Sequence, residues 1–133
     1  MKKKIYIITA AFVFLIILVI LIAAQTPIGP SAAADYLTVL GWEVDKKPIE
    51  TEIVNLPFEF DDVYAEYNKL QRQAGFDLSG YMGKKVTRYT FAVKNFEGQT
   101  GVRANVLMYN GRVIGGDLMT VAIDGFMIPL KKR

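Results

Sequence analysis

The 133-residue chain has no cysteine and no histidine. Without cysteine there is neither a disulfide nor a lipid-attachment residue, so the fold must rest on its core and a lipoprotein is excluded. Without histidine, the commonest general base and the commonest zinc ligand are missing together. Serine is scarce as well. Only Ser31 and Ser79 could act as serine nucleophiles, and neither has a histidine to activate it. Ser79 lies five residues before Lys84, beside glycines, and forms no Ser-x-x-Lys arrangement. Basic residues are absent between Lys4 and Lys46.

What fills the N-terminus instead is a run of 20 residues without a charge, 5–24. As a helix it is about 30 Å long, the thickness of a bilayer's hydrocarbon core. Lys2, Lys3 and Lys4 precede it, so the positive-inside rule sets the N-terminus in the cytoplasm and the rest outside. Residues 1–24 are therefore expected to be a membrane anchor, with the lipid bilayer as partner of residues 5–24. The alternative is a cleaved signal peptide. An apolar run of 20 residues exceeds the usual signal length, but Ala32 and Ala34 offer a small-x-small site before Asp35.

Beyond the anchor lysines, 13 acidic residues balance 13 basic ones. The balance is uneven along the chain. Residues 35–66 hold nine acids and two bases, and residues 67–133 hold four acids and eleven bases. The simplest expectation is two halves that pack together and neutralise one another; a polarised surface meeting a charged envelope partner is the alternative. Nucleic acid is not expected as a partner of a neutral domain outside the cell.

"QTPIGPS" at 25–31 reads as a stiff spacer, within a linker assigned to 25–34. Ser31 can cap a short helix that stops at Gly41. Residues 49–56 alternate as a strand between Pro48 and Pro57. A longer helix is predicted over 59–74, where Phe60, Val63, Tyr64, Tyr67, Leu70 and Ala74 share one face. Acids crowd its first turn, Arg72 sits in its last, and Gly75-Phe76 follows as a C-terminal cap. Residues 75–85 form a loop, and 86–93 and 102–109 form strands. Asn110-Gly111 turns the chain into a hairpin whose returning strand is 112–121. The expected architecture is α+β: an N-terminal transmembrane helix, then an extracytoplasmic domain over 35–133 with the long helix packed across a small antiparallel sheet.

The returning strand carries Gly115, Gly116 and Asp117. An unbroken register from Tyr109–Arg112 would set Asp117 opposite Ala104, on the apolar face of Val102, Val106 and Met108, at a cost of several kcal/mol. One extra residue at Gly115-Gly116, a β-bulge, would turn Asp117 toward Arg103 and Asn105. The glycines are thus expected to be structural, and Asp117 to pair with Arg103. A cyclase-type Gly-Gly-Asp signature does not fit, because Leu118 and Met119 follow.

"GWEVDKKPIE", the stretch from Phe60 to Val93, and "VRANVLMYNGRVIGGDLMTVAIDGFM" together resemble the domain of unknown function 4830 family over roughly 35–128. The resemblance implies a small extracytoplasmic domain of Gram-positive bacteria behind a membrane anchor or signal, with no activity assigned. Family members often carry a histidine after Gly-Phe-Met; Ile128 stands there in this chain.

No catalytic set, metal site or cofactor is expected. Asp61-Asp62 suits a helix start better than a metal, and Glu43, Asp45, Glu50 and Glu52 lack a calcium-loop spacing. The candidate binding residues are Arg88, Arg103, Asn105 and Asp117, which share one sheet face if the bulge forms. Either they are a solvated face with cross-strand pairs, or they bind a carboxylate or peptide with Trp42 and Tyr81 as aromatic anchors. Trp42, just after Gly41, reads more simply as a core plug. Two functions follow: a binding or regulatory module of the cell envelope with a protein or peptide ligand, or an envelope enzyme using carboxylate and lysine chemistry on peptide or glycan. A deep pocket with convergent charges favours the enzyme; an exposed apolar or edge-strand patch favours the module.

Overall fold

A computed structural model of the chain describes residues 1–25 and 29–133. The first helix, α1 (Lys2–Gln25), is long and apolar enough to cross a membrane. Of the spacer expected over 25–31, residues 26–28 lie outside the described residues, Gln25 ends α1, and Pro30 and Ser31 already belong to the next helix. Helix α2 (Pro30–Val39) begins one residue before the expected cap. Pro30 takes its first turn, where a missing N–H costs nothing, and no side chain caps it, so Ser31 does not play that role.

Five strands then form an antiparallel meander in sequence order: β1 (Glu50–Asn55), β2 (Lys85–Ala92), β3 (Val102–Tyr109), β4 (Arg112–Thr120) and β5 (Met127–Pro129). The first four match the alternation in the sequence. β5 was not expected. It has only three residues, one of them proline, too few to show a period, and it exists by pairing with β4 at Asp117, Leu118 and Met119.

Helix α3 (Asp62–Gln73) sits between β1 and β2 in the chain. Its N-cap is Asp61, whose side chain accepts from the Tyr64 N–H at 2.9 Å. At its other end the Gly75 and Phe76 N–H groups return to Arg72 and Gln71, closing the expected cap.

The sheet is covered on both faces. α2 lies on one, and its Ala33, Ala34 and Leu37 join Phe91, Ala104, Val106 and Leu118 in an apolar cluster. Ala33 is 0% and Ala34 2% exposed, so the packed unit takes in all of α2, including residues ahead of Asp35. On the other face Tyr64 and Tyr67 of α3 and the turn Leu78–Tyr81 pack against Val86, Leu107 and Ile114. Ion pairs Glu52–Arg88 and Asp45–Lys94 join the acidic half of the domain to the basic half.

Candidate functional site

The site begins at the break in β4. Tyr109 faces Arg112 and Met108 faces Val113, but Leu107 faces Gly115, so Ile114 is the extra residue. The bulge therefore falls just before the glycines rather than on them. Its consequence is the one the side-chain chemistry demanded. Asp117 stands opposite Asn105, not Ala104, and turns to the α3 face.

The glycines serve close approach. A Cβ on Gly115 would meet Oε1 of Gln71 at 2.7 Å, and one on Gly116, at φ +154°, would meet the Asn105 carbonyl oxygen at 2.1 Å. Gln71 of α3 uses that space. Its Nε2 donates to the Gly116 carbonyl, and the Gly116 N–H donates to its Oε1, both at 2.8 Å. This happens just past the last β4 residue that β5 pairs, so a side-chain amide takes over where the ladder stops. Three residues earlier, the Asn68 Oδ1 accepts from the Leu78 N–H at 2.7 Å and its Nδ2 donates to Asp77 at 2.9 Å.

Asp117 is 2% exposed. Tyr67 donates its hydroxyl to one carboxylate oxygen at 2.7 Å, and Asn105 donates Nδ2 to the other at 3.0 Å. Thr90 in turn donates to the Asn105 Oδ1 at 2.7 Å. The chain of donors runs from β2 through β3 and ends on the carboxylate. Burial pushes the Asp117 carboxyl above the usual carboxylate range, against the two hydrogen bonds and the nearby Arg88 charge. Burial likewise raises the Tyr67 hydroxyl, and the Asp117 charge and hydrogen bond add to it.

This corrects the expected Asp117–Arg103 pair. Arg103 lies on the same side of β3 as Asn105, but among the described residues it makes no ion pair, and Tyr67 has taken the place beside the carboxylate. The expected solvated face is corrected in part: Asn105 and Asp117 are buried, while Arg88 and Arg103 stay half-buried.

Between α3 and the sheet runs a half-open groove of about 650 Å³. Arg88, Asn105 and Asp117 lie at its floor, together with Tyr67. Val54, Leu56, Leu70 and Met119 make its walls apolar, and Val63 (75% exposed) and Met127 (46%) stand at the mouth. Arg88 is fixed by an ion pair to Glu52 on β1; its Nε–H is buried without an acceptor, alone in this among the described residues.

The other expected site residues lie elsewhere. Trp42 is on the α2 face, buried, stacked on Phe96 at 5.4 Å, with Nε1 donating to the Lys131 carbonyl at 2.8 Å. It plugs the core and cannot anchor a ligand beside Asp117. Tyr81 meets Tyr109 edge to face at 5.6 Å and does not line the groove. Ser79 donates to Asp77 at 2.6 Å, a turn role. Among the described residues no three acids gather as a metal site. Gln71, Asn68 and Thr90 were missed from sequence because amides and hydroxyls read as surface groups. The available signal was Gln71 falling four residues after Tyr67 on the packed face.

Fold and groove together define a small α+β domain behind an apolar helix, with an apolar cleft over a polar floor. Residues 36–118 match the family described as Domain of unknown function (DUF4830), and the chain belongs to that family. Neither a curated protein nor a solved structure matches it significantly.

Proposed function

We propose that the protein is a membrane-anchored binding module of the cell envelope, with its domain outside the cell, and that the groove between α3 and the sheet takes an extended, apolar-rich peptide segment of an envelope partner. The groove itself carries this reading: apolar walls reach an exposed mouth at Val63 and Met127 above hydrogen-bonding groups that are held rigid. Arg88 and Asp117 do converge on its floor, the feature expected of an enzyme. However, both Asp117 oxygens are engaged by the protein's own donors and the residue is 2% exposed, so Asp117 offers no free oxygen to the cleft. Binding is the better-supported function.

The packing of α2 supports a retained anchor. Cleavage before Asp35 would strip Ala33 and Ala34 from the core and half of α2 from the sheet. Protease added to intact protoplasts should then remove the domain; protection would overturn the topology. For the groove, a photo-crosslinking residue replacing Val63 and irradiated in the native envelope should capture a peptide segment that the same residue at Val39, exposed on α2, does not. Adducts confined to lipid or glycan would overturn the peptide reading.

A further inference from the structure

The charges around the groove are unbalanced. Arg88 is its lining cation, and it stands beside two lining acids, Glu66 and Asp117. Its guanidinium is already held by Glu52 from β1, while Asp117 acts on it from the floor. A ligand carboxylate would have to displace Glu52 and then approach Asp117 and Glu66. Lys69 meets Glu66 at 2.7 Å, but both side chains are largely exposed, and such a pair yields readily to a competitor. Glu50 and Glu52 share a face of β1 with Val54, which lines the groove, and Glu66 lines it from α3. These three acids make the rim acidic where the walls are apolar.

Resting on the groove as a peptide site, we infer that the segment it takes is basic: apolar side chains alternating with lysine or arginine. The apolar side chains enter between α3 and the sheet past Val63 and Met127. The cations stay at the mouth and reach Glu52 and Glu66, whose carboxylates are open to solvent. Arg88 then serves to hold Glu52 in place on the sheet and is not itself a reader of the ligand. Complementary rim charges of this kind set selectivity more than total affinity.

The test uses the full chain in nanodiscs of zwitterionic lipid and three nine-residue probes in which leucine alternates with lysine, serine or glutamate. Calorimetry at low salt should show the lysine–leucine probe binding about fivefold tighter than the serine–leucine one, as two exposed ion pairs allow. The glutamate–leucine probe should be weakest, and high salt should remove the difference. Glu52→Gln with Glu66→Gln should abolish the preference, bringing the lysine–leucine affinity down to that of the serine–leucine probe. Val63→Glu should weaken the serine–leucine probe. Equal affinities that fall together in Val63→Glu would overturn the basic segment while leaving a peptide site. Tightest binding of the glutamate–leucine probe would overturn it in favour of Arg88. Binding of the lysine–leucine probe that neither the double variant nor Val63→Glu alters, or that empty nanodiscs reproduce, would overturn it as non-specific. Failure of all three probes would overturn both readings.

Discussion

On one face of the sheet, α2 sets Ala33, Ala34 and Leu37 against Phe91, Ala104, Val106 and Leu118, and the contact is apolar. On the other, α3 reaches the sheet through the side chains of Tyr67 and Gln71, each hydrogen-bonded to β4. The difference lies in where each helix rests. α2 packs over the central strands β2, β3 and β4, whereas α3 packs on β4 and β5. The part of the sheet left open beside Tyr67, with Val54, Leu56 and Arg88, is the groove. One face thus supplies stability through excluded water, and the other spends buried polar contacts on position.

This contrast can be broken most directly by truncation. Phe91→Ala, in the sealed face, should cost about 3–5 kcal/mol in urea melts. Leu70→Ala, half-buried on the groove wall, should cost clearly less; equal losses would mean that the two faces are sealed alike. Next in size, Gln71→Ala leaves both backbone groups of Gly116 without their partners and should cost about 2–4 kcal/mol. Hydrogen exchange should quicken at the Gly116 amide, and an unchanged rate there would refute the role assigned to Gln71.

Two acids should respond to pH in opposite senses. Asp117 has its carboxyl raised, chiefly by burial, so its stabilising contribution is complete below the unfolded value of 3.8 and is lost as pH rises through the folded value. Asp77 is lowered, chiefly by hydrogen bonds from Ser79 and then Asn68, so its contribution is complete above 3.8 and is lost as pH falls. Melts across this range should show Asp117→Asn flattening the loss on the rising side and Asp77→Asn flattening the loss on the acid side. Curves parallel to wild type would remove the distinction. The smallest effect belongs to Arg103→Ala, which breaks no ion pair and should stay within about 0.5 kcal/mol. A loss matching that of Asp117→Ala would reinstate the pair the sequence suggested.

The apolar N-terminal helix, the helix of α3 and the first four strands were legible because their signals are local. A charge-free run, spacings of three and four, alternation, and Asn110-Gly111 at the hairpin all act within a few residues. Even the one-residue shift in β4 could be inferred, since a carboxylate opposite Ala104 is too costly. Three features needed the tertiary structure. Ile114 rather than the glycines carries the bulge, because Gly115 and Gly116 are occupied in making room for Gln71 and for the neighbouring strand. β5 forms only because β4 offers an unpaired edge to a short segment that could not be a strand alone. And Asp117 found Tyr67, 50 residues away, instead of the charged residue nearest in pattern. Sequence spacing ranks partners within one strand pair, but it carries no measure of which helix will lie across that face or how far above it.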